Sequence, residues 1–278
     1  MTEIKVDDDG GDTMTCILHN DHIFPVFNTR AITGLTSVKI REDDVLILGY
    51  PKSGNHWLWE LTRQVLRGRV VEDDVVMNEM MMECAPEEKY ADLPSPRILA
   101  SNAPLSKLSP AIIQKKPKMI TIYRNPKDVM ASYYPFMTKL PFMKYTGKWE
   151  NFVKPCALGK FCHGSWIDHV LSWEKVKKTY PEWPILTVFY EDLKEDPVEQ
   201  LRRLCSFLDV KRSDEFLEEV VNICSFSKMK DIKSHSAVFR KGEVGDWKNC
   251  FTVAQSEWFD QLYQEKMSDC PLQFRYTL

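Results

Sequence analysis

Four short apolar-rich runs stand out along the chain: Val45–Leu48 (VLIL), Arg97–Ala100 (RILA), Met119–Tyr123 (MITIY) and Ile185–Tyr190 (ILTVFY). None alternates apolar with polar, so each reads as a strand buried on both faces, as in a parallel sheet. Helical patterns lie between and after them. One covers Trp57–Arg67. A second opens at NPKDVMASYY, where Asn125 suits the cap and Pro126 the first turn. A third covers Ser165–Thr179, and a fourth follows Asp196-Pro197. Strands alternating with helices predict a three-layer α/β fold around a central, mostly parallel sheet. With no internal repeat or low-complexity linker, residues 16–278 read as one domain. The acidic start MTEIKVDDDGGD, within residues 1–15, reads as a loose tail.

Composition narrows the function classes. The 278 residues are 44% hydrophobic, enough for one substantial core, and the net charge of −3 gives no global case for nucleic-acid binding. No apolar stretch has the length of a membrane span or the layout of a signal peptide, so the cytoplasm is the expected compartment. Eight cysteines are scattered without a CxxC pair, which points to neither a zinc nor a redox site.

Polar chemistry gathers where the strands end, the place where open α/β sheets bind ligands. After the first strand comes PKSGN, opening a helix. Gly54 permits close backbone approach, the helix N-terminus offers free N–H groups, and Lys52 adds a charge. The GxxxxGK[ST] pattern of a nucleotide kinase is absent. A plain turn with an exposed lysine is the competing reading. After the third strand, Arg124 and, two helical turns on, Ser132 are placed to meet one anion. A third cluster, FRKGEVGDWKNCFT, offers Phe239, Arg240, Lys241 and Gly242 in a loop.

Taken together, these stretches resemble the cytosolic sulfotransferases. The resemblance rests on YPKSGNHW (50–57), RNPKDVMASYY (124–134), YEDLKEDP (190–197) and RKGEVGDWKNCFT (240–252), supported by HGSWIDHVLSWE (163–174). It runs from about Asp43 to the C-terminus. It implies a sulfotransferase fold with a P-loop-like anion site and the donor 3′-phosphoadenosine 5′-phosphosulfate, with no metal. By position, Lys52 and the backbone of Ser53, Gly54, Asn55 and His56 would hold the 5′-phosphosulfate. Arg124, Ser132, Arg240, Lys241 and Gly242 would hold the 3′-phosphate. Trp57 and Phe226 would sandwich the adenine, with Tyr190 and Cys224 at its edge and Phe239 nearby. A family dimer signature maps to Lys248, Thr252, Val253 and Glu257, implying a homodimer.

The resemblance breaks at one point. The family's general base is a histidine in a KTHLP-like segment; here RILASNAPLSKL places Ala100 at the usual lysine and Asn102 at the histidine. An amide takes up no proton at neutral pH, and losing a general base costs roughly 10²–10⁴-fold. His56 and Glu60, one helical turn apart, are the candidates to replace it. An acceptor needing little base assistance, or a donor-binding protein without turnover, are the alternatives. Acceptor lining is expected from Phe24, Phe27, Met81, Met82, Phe136 and Phe142. The acceptor itself, a hydroxyl or amine of a small molecule, is not identified by these residues.

Overall fold

The structure is a computed structural model and describes residues 1–232 and 239–278. Its centre is a four-stranded sheet of β4 (Val45–Gly49), β5 (Ile98–Ser101), β6 (Lys118–Tyr123) and β7 (Ile185–Phe189), in the order β5-β4-β6-β7. Every pairing in it is parallel. The four apolar runs therefore supply the sheet. Side chains alternate faces along a strand, and two cores result. Leu46, Leu48, Leu99 and Met119 enter one hydrophobic cluster; Val45, Ile47, Ala100, Ile120 and Ile122 enter the other. Helices cover both faces, which gives the three layers.

The helices are α1 (Thr29–Gly34), α2 (Asn55–Arg67), α3 (Ala111–Lys115), α4 (Pro126–Lys139), α5 (Trp149–Ala157), α6 (Trp166–Thr179), α7 (Tyr190–Glu195), α8 (Pro197–Phe207), α9 (Asp214–Ile223), α10 (Phe226–Ile232) and α11 (Val253–Met267). The caps at Asn125 and Asp196 are made: Asn125 accepts the N–H of Asp128 and Asp196 that of Glu199. Ser165 caps its helix in the same way, accepting the N–H of Ile167. Helix α2 starts two residues before the predicted Trp57, so Asn55 and His56 sit in its first turn. The last sheet strand stops at Phe189, and Tyr190 opens α7. Arg97 lies outside β5 because its guanidinium is committed to Asp44, at 2.6 and 2.8 Å.

The start of the chain corrects an expectation. The loose tail predicted over residues 1–15 is paired strand: β1 (Thr2–Asp7) and β2 (Thr13–His19) form an antiparallel hairpin, completed by β3 (His22–Phe24). Asp8 closes the turn. Its Oδ1 accepts from Gly10 and Asp12, and its Oδ2 accepts the Tyr145 hydroxyl at 2.9 Å. The acidic residues that suggested disorder make the turn. Among the described residues no helix is long and apolar enough to cross a membrane.

Candidate active site

All four sheet strands deliver their carboxyl ends to one edge, and the loop after β4 defines the site. Gly54 has φ +105°, and a Cβ there would stand 2.7 Å from the Tyr190 ring. Only glycine lets the loop turn into α2 this close to α7. Lys52 also takes a left-handed backbone, φ +67°, a conformation that costs about 1–3 kcal/mol outside glycine and that the surrounding contacts enforce. Asn55 is one of them. Its amide donates to the carbonyls of Tyr50 and Gly49, at 2.9 and 3.3 Å, and to Asn102 Oδ1 at 3.2 Å. It is thereby a strut between the loop and β5.

The cations come together here. Arg124 donates to the carbonyls of Glu243, at 2.7 Å, and Lys52, at 3.3 Å, and lies 4.3 Å over the Tyr190 ring. Burial, then the charges of Arg124, Arg240 and Lys139, lowers the Lys52 ammonium to about 7. That is the electrostatic mark of a site built for an anion. One buried polar atom of the lining reinforces it: Arg124 Nε has no hydrogen-bond partner among the described residues.

The loop 239–247 closes over this cluster. Arg240 and Lys241 both pair with Asp246, at 2.5 and 2.6 Å. Burial pushes the Asp246 carboxyl up, but hydrogen bonds from Lys241, Asn249 and Arg240 outweigh it and hold it at about 2. Asp246 therefore stays charged and pre-orders the two cations. Gly242, at φ +71°, presses against Phe226: a Cβ there would lie 2.5 Å from its ring.

These groups line one cavity of about 590 Å³. Lys52, Gly54, Asn55, His56, Trp57, Arg124, Ser132 and Tyr190 reach it, as do Cys224, Phe226, Phe239, Arg240, Lys241 and Gly242. Trp57 meets Tyr190 edge-on at 5.6 Å, and Phe226 meets Phe239 at 6.0 Å. Phe27, Met81, Phe136 and Phe142 line the same cavity; Phe27 and Phe142 are 6.2 Å apart, and Lys52 Nζ lies 4.4 Å from the Phe136 centroid. Asn102 also lines it.

Four expected residues do not line it. Ser53 is completely buried behind the loop, its N–H given to Tyr50. Glu60 is turned into α2: its Oε1 accepts from Arg63 and Gln64, at 2.7 and 2.6 Å, and its Oε2 from Arg63 at 3.2 Å. Phe24 packs in the core, 4.6 Å from His22, and Met82 is also core. Sequence reasoning overlooked Met77, Asn78, Cys84, Leu140, Lys194 and Met229 in the lining. Lys194 had a signal: it is four residues after Tyr190 on α7, hence on the same face, and lies 5.9 Å from the Trp57 ring.

Comparison with known proteins agrees with this geometry. The sulfotransferase domain model matches residues 42–271. Sulfotransferase 1B1 of Canis lupus familiaris is 36% identical over 281 residues, covering 91% of this chain and 94% of that protein. Sulfotransferase 1A1 of Rattus norvegicus is 36% identical over 260 residues, covering 85% and 88%. Among solved structures, mouse sulfotransferase SULT7A1 complexed with PAP superposes with a TM-score of 0.80 at 31% identity, covering 91% of this chain and 95% of that one. A retinol dehydratase in complex with androsterone and PAP shares the fold, with a TM-score of 0.75 at 17% identity and coverage of 95% and 92%. Domain model, relatives and superposed fold converge: the chain belongs to the sulfotransferase family.

Proposed function

We propose that the chain moves a sulfuryl group from 3′-phosphoadenosine 5′-phosphosulfate to a hydroxyl or amine of a small-molecule acceptor. The observation that carries this reading is the confluence, in one cavity, of Lys52, Arg124, Ser132 and Arg240 with the aromatic walls Trp57 and Phe226. A nucleotide with phosphate and phosphosulfate groups supplies the negative charge that the cluster lacks, and a purine suits the aromatic faces, at about 1–3 kcal/mol per stacked base. The orphaned Arg124 Nε fits the same group. Among the described residues no cluster suited to a metal ion occurs, and lysine and arginine supply the positive charge.

Each side chain then has a role. Lys52 stabilises charge on the bridging oxygen as it leaves, by the electrostatic logic of phosphoryl transfer. Arg124, Ser132, Arg240 and Lys241 hold the 3′-phosphate, with Gly242 giving backbone approach. Trp57 and Phe226 flank the adenine, and Tyr190, Cys224 and Phe239 complete its wall. His56, in the first turn of α2, takes the acceptor's proton, and Asn102 hydrogen-bonds the acceptor. Phe27, Met81, Phe136 and Phe142 face the acceptor, and the methionine allows the site to adapt its shape.

The bearing of Asn102 supports a second reading, a protein that binds the donor and transfers poorly. Labelled donor, offered phenols, alcohols and amines, separates the two. Turnover by wild type that falls roughly 10²–10⁴-fold in His56→Ala supports the first. No transfer to any acceptor, with tight binding of the desulfated nucleotide, supports the second. Undiminished transfer by His56→Ala removes His56 from the mechanism. For assembly we propose a homodimer through Lys248, Thr252, Val253 and Glu257. All four are exposed, Val253 by 75%; sedimentation of Val253→Glu, expected to be monomeric, tests it.

A further inference from the structure

Glu83 lies in the segment between α2 and β5, and it is completely buried. Met81 bridges Ala100 of β5, and Met82 donates its N–H to Ala100 at 2.9 Å, so the segment is fixed against the strand. Glu83 Oε1 accepts the backbone N–H of Asn102 at 2.6 Å. Its Oε2 has no hydrogen-bond partner among the described residues. Among the described residues no cation pairs with it. Arg97, at the head of β5, is committed to Asp44. The titratable groups that face Glu83 are Cys84 and Tyr90, and burial pushes both upward, so both are neutral at physiological pH.

A buried carboxylate with no cation paired to it is a costly way to hold a loop. A glutamine would accept the same N–H without that cost. What the carboxylate adds is a charge directed at the backbone of Asn102, together with a proton-binding site. Asn102 passes the constraint on. Its Oδ1 accepts from Asn55, whose amide also holds the Tyr50 and Gly49 carbonyls of the anion loop. Asn102 lines the cavity, and with Oδ1 accepting from Asn55 the side-chain group it has left to offer is its Nδ2 donor.

We propose that Glu83 is a positioning residue for sulfuryl transfer: its ionised carboxylate, acting through the Asn102 backbone, holds the Asn102 amide on Asn55 with Nδ2 toward the acceptor, and its protonation loosens that hold. The proposal rests on the reading of this cavity as the transfer site. It makes the residue at the base position of the family responsive to pH, although that residue does not titrate. Burial raises the Glu83 carboxyl to about 7, against the opposing pull of the Asn102 N–H and the Ser101 hydroxyl. The grip is therefore complete above neutral pH and is lost below it.

Nitrogen NMR of the intact chain between pH 5.5 and 8.5, with no acceptor added, tests the coupling without relying on turnover. In wild type the backbone and side-chain amides of Asn102 are expected to shift together, with one midpoint near 7, and both to be flat in Glu83→Gln. A backbone amide that titrates while the side chain stays still, or no titration at either, overturns the proposal. The kinetic arm follows kcat/KM against pH in the His56→Ala background, where that imidazole does not contribute. There Glu83→Gln is expected to abolish the fall below pH 7. Adding Glu83→Gln to Asn102→Ala is expected to change kcat/KM less than twofold at any pH. An unchanged acid limb, or losses that multiply independently, refutes the action through Asn102. A wild type that transfers to no acceptor defeats the functional reading, and the NMR arm still decides the Glu83–Asn102 coupling.

Discussion

Asp128, the third residue of α4, accepts the backbone N–H groups of Gly245 at 2.7 Å and Trp247 at 2.9 Å. It also takes the Asn125 amide at 2.8 Å. One fully buried carboxylate thus ties the loop of Arg240 and Lys241 to the turn that carries Arg124. The two basic clusters are more than a hundred residues apart in sequence, and this contact makes them one site. Asp128→Ala strips three charge-assisted bonds and leaves the Gly245 and Trp247 N–H groups unpaired, at a cost of about 3 kcal/mol. Donor-nucleotide affinity, measured by calorimetry, should weaken more than tenfold while the secondary structure persists. Affinity within twofold of wild type would show that the loop holds itself.

Lys52 gives a proton count. In the free protein burial and its cationic neighbours lower it to about 7, so at pH 8 it is mostly neutral. An anion beside it favours the charged form. Binding of the desulfated nucleotide at pH 8 should therefore take up close to one proton, and affinity should fall as pH rises above 7. Calorimetry in buffers of different ionisation enthalpy reads this directly, with Lys52→Met as the variant that loses the uptake. A binding heat independent of the buffer would mean that Lys52 does not meet the anion.

Glu60 separates stability from chemistry. It is 3% exposed and shares Arg63 with Asp73, at 2.7 Å to each. Glu60→Ala leaves Arg63 paired with Asp73 but strips buried hydrogen bonds from Arg63 and Gln64, at a cost of about 1–3 kcal/mol. Glu60→Ala should lower the melting temperature by roughly five degrees and leave turnover per folded molecule within about twofold. A large fall in kcat with an unchanged melting temperature would return Glu60 to the list of bases.

Much of this was legible in the sequence. Strands buried on both faces write themselves as unbroken apolar runs, and β4, β5, β6 and β7 fall on them almost residue for residue. Short cap-and-proline patterns gave the starts of α4 and α8. The N-terminal hairpin was hidden because β1 is short, largely exposed and charged, so it read with its acidic turn as disorder although β2 is mostly buried. Facing was also illegible: Met81 and Met82 are neighbours in extended backbone, and only the bridge to Ala100 decides that Met81 meets the cavity. Phe24 and Phe27 differ likewise, because β3 ends at Phe24 and commits it to the core. Asp128 and Glu83 left no trace, since their partners are backbone N–H groups, which carry no residue identity.

The histidines of the core set the acid limit of the fold. His22 and His163 stand 5.9 Å apart, and His169 meets the Tyr50 ring at 5.7 Å. Each has one ring nitrogen without a hydrogen-bond partner among the described residues: Nε2 of His22, Nδ1 of His163 and Nε2 of His169. Burial, aided by Lys107 at His22 and by the other imidazoles at His163 and His169, lowers His22 to about 4, His169 to about 3 and His163 well below its ordinary value. In the unfolded chain all three titrate near 6.5. Between that value and about 4 the unfolded state binds protons that the folded state refuses, so stability falls as pH falls. Each histidine contributes about 1.4 kcal/mol per pH unit to that slope. Glu83 opposes it by one proton, because its raised carboxyl favours the folded state as pH drops from 7 toward 4.5. Replacing His169 with glutamine should therefore make the decline shallower by about 1.4 kcal/mol per pH unit, even though the variant is less stable at pH 7.5. Urea unfolding at half-unit steps from pH 7.5 to 4.5 measures both slopes. Parallel slopes in wild type and His169→Gln would show that the imidazole is protonated in the fold, and that the cluster holds water rather than excluding charge.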